Sequence, residues 1–184
     1  MKIQQSQNQI AFFHLLAQAR EAVEQGLYTE AINYFDQMLQ LPCQGKDTAW
    51  VERATVFYKL GNIQEATDSY LAALVVNTKS FTAYYGLAVL ASEQKNLSQG
   101  KKYYQQCLAI NPDFIEALIN IAIVCYQLDE LEPAAVYLKK VLTLDPQNIN
   151  ATYNLGVIAE AMNQPSKAAS YFNQAKQLEN QAGQ

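Results

Sequence analysis

Apolar residues recur along the chain with the period of an α-helix, and the helical segments come in pairs. The first segment of one pair places apolar residues at the i, i+3, i+4, i+7 spacing of a single helix face: Leu118, Ile121, Ala122 and Cys125. The second segment has an apolar face of its own: Ala134, Leu138, Val141 and Leu142. Acidic residues within 129–132 precede the second segment, and negative charge there favours a helix start. The pattern predicts two amphipathic helices joined by a short turn.

This helix pair repeats along the chain. The segment that begins at Asn111 has a counterpart that begins at Asp145, and 145 − 111 = 34. A small residue recurs at nearly the same interval: Ala31, Ala66, Gly100, Ala134 and Ala168. An aromatic residue or leucine follows each of them: Phe35, Tyr70, Tyr104, Leu138 and Phe172. We therefore predict one domain over residues 1–184 with five repeats, at about 12–46, 47–80, 81–114, 115–148 and 149–182.

Turn-forming residues lie where the predicted helices must end. Gly26, Gly61 and Asn163 fall between the two helices of a repeat. Asn111 and Asp145 fall between repeats and precede proline, which pushes them out of the helical region. The chain has only 7 Gly and 5 Pro, so its composition also argues against a β-rich or loop-rich fold. An all-α fold is expected.

The repeat resembles the tetratricopeptide (TPR) repeat, a helix–turn–helix unit of about 34 residues. The resemblance rests on the Trp50–Ala54 spacing, on the Asn-Leu-Gly run at 154–156, and on the recurring positions over nearly the whole chain. It implies a right-handed superhelical solenoid of about ten antiparallel helices. Gln18 and Arg53 stand where the family usually has Leu or Ile, so looser packing is expected in the first two repeats.

Charge and cysteine content limit the partners and the compartment. The formal charge is −4 without a clustered basic excess, so no nucleic-acid partner is expected. No run of about 18 apolar residues is present, so no membrane insertion is expected. The three cysteines, Cys43, Cys107 and Cys125, lack the spacing of zinc or redox sites, and free thiols are typical of a reducing compartment. A cytoplasmic protein is expected.

The sequence offers no constellation for catalysis. His14 is the only histidine, and no motif places a Ser or Cys beside it. Neither a Gly-rich phosphate-binding motif nor a calcium-binding loop occurs. We expect a protein that is not an enzyme, with no catalytic residue, no cofactor and no metal site.

A partner protein is expected to bind the first helix of each repeat. In such solenoids the first helices line the concave surface. The first-helix positions that are not needed for packing between helices carry mostly apolar, aromatic or amide side chains. Such a surface indicates a groove for a peptide or helix segment. The predicted groove residues are Tyr58, Tyr85, Val89, Ile119, Asn120, Ile123, Tyr126, Tyr153 and Asn154. The resemblance implies that Asn120 and Asn154 hydrogen-bond the backbone of an extended peptide.

The same positions argue against one kind of ligand. TPR proteins that grip an acidic C-terminal tail use a carboxylate clamp of Lys, Arg and Asn side chains across three repeats. The corresponding positions in the first three repeats are Leu16, Arg20, Glu52, Thr82 and Gly86. Because they supply one cation and one acid, binding of such a tail is not expected.

Two functions fit these features. The first is a non-enzymatic adaptor, scaffold or assembly factor. The second is the recognition domain of a larger enzyme, such as a glycosyltransferase. The start at Met1 and the polar Gln-rich end favour the first, while the acidic charge argues against an RNA-binding helical repeat.

The last repeat is expected to cap the solenoid. Earlier repeats have a leucine near the end of the second helix, such as Leu108 or Leu142, where the fifth repeat has Lys176. Burying an unpaired ammonium costs several kcal/mol, so this end should face solvent. Self-association through this end is the alternative.

Overall fold

The computed structural model describes residues 2–182, with side chains described from residue 5 on, and over this range the chain forms ten α-helices and no β-strand. In chain order they are α1 (Lys2–Glu24), α2 (Tyr28–Gln40), α3 (Lys46–Lys59), α4 (Ile63–Val76), α5 (Phe81–Glu93), α6 (Leu97–Ile110), α7 (Ile115–Gln127), α8 (Leu131–Leu144), α9 (Ile149–Ala161) and α10 (Pro165–Ala182). Odd-numbered helices are the first helices of the five repeats, and even-numbered helices are the second helices. The all-α prediction is confirmed.

The helices belong to two compact units, which we call the first unit (residues up to Leu90) and the second unit (residues from Ala91 on). In the first unit α1 packs on α2, α2 on α3 and α3 on α4. In the second unit α6 packs on α7, α7 on α8, α8 on α9 and α9 on α10, and α7 also contacts α9. Packing between sequence neighbours is the arrangement expected of stacked helix pairs. That the five repeats act as a single domain stays a prediction.

Small residues allow the paired helices to approach closely. Ala19 of α1 and Ala31 of α2 have no exposed surface, and Ala54 of α3 and Ala66 of α4 repeat this arrangement. Phe35, four residues after Ala31, is also fully buried. The recurring small and large positions in the sequence therefore form the core.

The turn inside each repeat contains one residue with a positive φ: Gly26 (76°), Gly61 (77°), Lys95 (64°), Asp129 (61°) and Asn163 (56°). The N–H of the next residue donates to a carbonyl five residues back, as Glu130 does to Cys125 at 2.8 Å. This pattern ends a helix with a left-handed residue. Asp129 thus belongs to the turn, and of the acids at 129–132 only Glu132 lies in the first turn of α8.

Arg53 is well integrated where looser packing was expected. Its guanidinium lies over the rings of Trp50 and Phe57, at 5.4 and 4.6 Å from their centroids. It also donates to Asp36 Oδ1 at 2.8 Å and to Ser69 Oγ at 2.7 Å. These contacts tie α3 to both α2 and α4, so the departure from the family pattern links the first two repeats.

The three cysteines are free thiols. Cys107 of α6 and Cys125 of α7 have no exposed surface. Burial raises the pKa of Cys107 to about 12 and that of Cys125 to about 11, because a thiolate is poorly solvated there. Cys43, in the loop before α3, is half-buried. The two buried thiols pack as small apolar groups.

None of the helices in the described part of the chain is long and apolar enough to span a membrane.

Candidate functional site

The nine residues predicted to line a groove all lie on first helices. Tyr58, Tyr85 and Val89 belong to the first unit and are half-buried. The other six belong to α7 and α9 of the second unit: Ile119, Asn120, Ile123, Tyr126, Tyr153 and Asn154. Leu16, at one of the clamp positions, is buried in the core of the first unit and is only 8% exposed. That the nine residues form one groove stays a prediction.

A cavity of about 240 Å³, which we call the α7/α9 pocket, lies between α7 and α9 over Leu138 of α8. Its lining is Ala122, Ile123, Tyr126, Gln127, Leu138, Asn154, Val157 and Ile158. Ile123 and Tyr126 keep 38% and 40% of their surface exposed, while Leu138 is fully buried. The pocket therefore has apolar walls that reach solvent and an apolar floor, as ligand pockets generally do.

The equivalent place in the first unit is filled by a ring. Tyr70, Thr55 and Gly86 precede Leu138, Ile123 and Asn154 by two repeats, since 138 − 70 = 68, 123 − 55 = 68 and 154 − 86 = 68. The Tyr70 side chain is 6% exposed, and its hydroxyl shares a hydrogen bond with Thr55 Oγ1 at 3.2 Å.

Gly86 allows the Tyr70 ring to reach the next first helix. A Cβ on Gly86 would lie 2.2 Å from Tyr70 Cζ, well inside van der Waals contact. In the second unit the smaller Leu138 replaces the ring and Asn154 replaces the glycine. The pocket is therefore the space that Tyr70 occupies in the first unit.

Asn154 supplies the polar group of the pocket. It is half-buried on α9, and its side-chain amide makes no hydrogen bond among the described residues. An amide offers one acceptor and two N–H donors, so it can bind a peptide backbone without regard to sequence. Asn120 lies on α7 outside the lining of the pocket.

Tyr153 lies beside the pocket and is engaged by α10. Its ring centroid is 5.3 Å from that of Phe172, and the two planes meet at 52°. Gly156 makes room for Phe172, since a Cβ there would lie 2.5 Å from Phe172 Cε1. Tyr153 is still 54% exposed, so it extends the apolar surface next to the pocket.

Of the predicted groove residues in the second unit, Ile123, Tyr126 and Asn154 line the pocket, whereas Ile119, Asn120 and Tyr153 do not. The lining also contains Leu138 and Ile158, which the sequence prediction did not include. The available signal was Leu138 itself, the one leucine among four aromatic residues at its position. That these residues bind a partner stays a prediction.

The first helices of the first unit carry an ion pair. Arg20 of α1 donates to both carboxylate oxygens of Glu52 on α3, with Nη2 at 2.5 Å from Oε1. The Glu52 hydrogen bond and charge raise the pKa of Arg20. The single cation and the single acid of the clamp positions thus neutralise each other.

Within residues 2–182, no three His, Cys, Asp or Glu side chains come together as a metal site would need. The prediction that the protein binds no metal or cofactor stays a prediction.

Family models match most of the chain. Models described as tetratricopeptide repeat match residues 16–81, 81–114, 115–148 and 149–181. A TPR repeat-containing protein of Methanocaldococcus jannaschii is 33% identical over 63 residues, which are 34% of this chain and 11% of that protein. The similarity to that relative therefore spans only a small part of its length.

Solved structures share the fold. MamA from Desulfovibrio magneticus RS-1 has a TM-score of 0.81 and 18% identity, over 93% of this chain and 96% of that one. YrrB, described as a TPR protein with an unusual peptide-binding site, has a TM-score of 0.73 and 21% identity, over 87% and 82%. At such identities the likeness shows the fold, an all-α TPR solenoid. Since the family models match the chain from residue 16 to residue 181, the protein belongs to the tetratricopeptide repeat family.

Proposed function

We propose that this protein is a non-enzymatic interaction module that holds a segment of a partner protein on its first helices. The observation that carries the proposal is the α7/α9 pocket over Leu138. A side chain of the partner enters the space that the Tyr70 ring fills in the first unit. Anchoring by one buried side chain is a common basis of protein recognition.

The lining of the pocket suits binding rather than catalysis. It consists of aliphatic side chains with the Tyr126 phenol and the Gln127 and Asn154 amides, and it contains no carboxylate, imidazole or thiol. Burial of an apolar side chain stabilises the complex by about 25 cal/mol per Å² of apolar surface. The amides then orient the segment by hydrogen bonds to its backbone.

The remaining predicted groove residues extend the binding surface in this proposal. Tyr153 and Asn120 lie on α9 and α7, the helices that line the pocket, and Tyr58, Tyr85 and Val89 are the predicted binding residues on α3 and α5 of the first unit. The peptide-binding site in the description of YrrB supports a peptide as the class of ligand. We expect a roughly micromolar Kd, because a flexible segment loses conformational entropy when it is ordered.

The cellular role that fits this chemistry is an adaptor, scaffold or assembly factor in the cytoplasm. The three free thiols support a reducing compartment. In this role the five repeats act as one domain.

The test places the first-unit residues, a tyrosine and a glycine, at the equivalent positions of the second unit, so that the tyrosine ring fills the pocket. A random peptide display library is selected on the full chain, and the enriched peptides are synthesised and titrated by fluorescence anisotropy. The double variant Leu138→Tyr with Asn154→Gly should bind them at least about tenfold more weakly, because the ring occupies the pocket.

The control makes the same leucine-to-tyrosine change elsewhere on α8. Leu144 is 40% exposed and lies outside the pocket, so Leu144→Tyr should leave the affinity unchanged. Circular dichroism melting establishes that both variants stay folded. Unchanged affinity in the filled variant, or no enrichment on the native chain, would overturn the proposal.

A further inference from the structure

The first helices around the pocket carry acids but no cation. Along α7 and α9 the charged residues are Glu116 and Glu160, and neither helix contains Lys or Arg. The turn after α7 adds Asp129. These three carboxylates are exposed and form no ion pair within the described part of the chain.

The lysines of the second unit lie on other elements. Lys101 of α6 pairs with Glu130, and Lys140 of α8 pairs with Asp113 at 3.0 Å while donating to the Pro112 carbonyl at 2.6 Å. Two further lysines, Lys139 of α8 and Lys167 of α10, line a second cavity of about 380 Å³, which shares Ile158 with the α7/α9 pocket. The other three are exposed: Lys102 on α6, Lys176 on α10 and Lys95 in the turn before α6.

Two of the acids lie at the same end of the pocket. Gln127 is the last lining residue on α7, and Asp129 follows it by two positions. Ile158 is the last lining residue on α9, and Glu160 likewise follows by two. Because antiparallel α8 separates them, α7 and α9 run in the same direction, so both carboxylates fall beyond the same end of the pocket.

We infer that the bound segment carries a Lys or Arg next to the apolar side chain that enters the pocket, on the side of Asp129 and Glu160. This inference rests on the proposed function, because it names the chemistry of the partner at the same pocket. A cation there meets two unpaired carboxylates, whereas an acid meets like charge. Each exposed pair changes the affinity by about two- to fivefold, and added salt weakens the preference.

The test uses the peptides that the display library yields on the full chain, counter-selected against the filled variant Leu138→Tyr with Asn154→Gly. We expect Lys or Arg beside the apolar anchor. Replacing that cation with Ser should weaken binding by about two- to fivefold for each carboxylate it meets. Asp129→Asn with Glu160→Gln should remove most of the difference between the Lys and Ser peptides.

Glu132→Gln is the matched control. Glu132 is exposed on α8 and is not among the lining residues of the α7/α9 pocket, so Glu132→Gln removes a negative charge and leaves that lining unchanged. The Lys preference should persist in this variant. If it disappears equally there, the preference comes from the overall charge and the inference is wrong.

The remaining outcomes separate the two proposals. Peptides that lose affinity on the filled variant but lack a cation beside the anchor would overturn this inference and leave the proposed function standing. If the counter-selection against the filled variant leaves no enriched peptide, both proposals are overturned.

Discussion

Tyr70 in the first unit and Leu138 in the second occupy the same position of the repeat, but their neighbours differ: Thr55 and Gly86 surround Tyr70, and Ile123 and Asn154 surround Leu138. The Tyr70 side chain is 6% exposed, packs closely against Gly86 and shares a hydrogen bond with the Thr55 hydroxyl. The ring therefore fills the space between the helices. Over Leu138 the same space is a pocket, and the Asn154 amide on its wall makes no hydrogen bond within the part of the chain that the structure describes. A cavity in a repeat protein can thus arise when a packing side chain becomes smaller and its neighbours change, with the repeat pattern retained.

The two units also differ in whether the carboxylates discussed here are paired. Glu52 on α3 forms an ion pair with Arg20 of α1, so the two charges cancel. The Glu52 carboxylate on the first helices of the first unit is therefore paired, whereas the Asp129 and Glu160 carboxylates near the pocket form no ion pair among the described residues.

Converting the first unit to the pattern of the second should have the largest effect. The triple change Thr55→Ile, Tyr70→Leu and Gly86→Asn vacates the space of the Tyr70 ring. We expect the free energy of unfolding to fall by about 2–4 kcal/mol, the usual cost of a core cavity. A second binding site should also appear, seen by isothermal titration calorimetry with the peptides selected on the native chain.

The control for this change is the single variant Thr55→Ile, which removes a hydroxyl but keeps the ring. It should lose stability without gaining a site. A stoichiometry that stays the same in a folded triple variant would show that the pocket alone does not make a site.

A smaller effect is expected from adding a methyl group at the two close glycine–ring contacts. Gly86→Ala should lower the free energy of unfolding by about 1–3 kcal/mol, because the Tyr70 ring is buried and cannot move aside. Gly156→Ala should cost less, because Phe172 is half-buried and can rotate towards solvent. Urea denaturation followed by circular dichroism measures both, and an equal cost would mean that the two contacts are equally confined.

Removing the amides should affect binding more than folding. Asn154→Ala should lower the affinity for the selected peptides by about fivefold, since a hydrogen bond contributes about 1 kcal/mol. Asn120→Ala together with Asn154→Ala should weaken them further if both amides hold the backbone. An equal loss of thermal stability would assign the amides a structural role.

The smallest effect is expected at the far end of the second unit. Lys176 is exposed on α10, as predicted, where earlier repeats have leucine. Lys176→Leu adds an exposed apolar side chain, so sedimentation velocity should show weak self-association at high concentration. A variant that remains monodisperse and becomes more stable would indicate that this surface is already covered.

Much of the fold could be predicted from the sequence, because packing recurs at the repeat interval. The Ala31 and Phe35 positions mark the buried faces of the second helices, and Gly26 and Gly61 mark the turns. Asp129 belongs to the acidic stretch that the sequence predicts ahead of a helix start, and α8 begins at Leu131; what the acidic pattern did not indicate is its left-handed backbone. Its positive φ follows from its place in the turn, at the position where the first two repeats have glycine.

The pocket could not be predicted in the same way. In the sequence, Leu138 and Tyr70 both satisfy a large-apolar position, so they look interchangeable. Whether the position fills its space depends on the reach of the side chain and on residues of the next repeat, Gly86 or Asn154. Whether a cavity forms therefore depends on several side chains of different repeats at once, and it follows only from the distances between them in the folded structure.

The buried thiol of Cys125 makes α7 a reporter of local opening. This thiol has no exposed surface, and its raised pKa keeps it protonated at neutral pH, so a thiol reagent reacts only after the helix opens. A ligand in the pocket beside Ile123 and Tyr126, on the same helix, would slow that opening by mass action. The labelling rate of Cys125 would then fall with ligand concentration, while that of Cys43 in the first unit stays constant. The chain thus contains its own kinetic probe of occupancy, with an internal reference, and needs no added fluorophore.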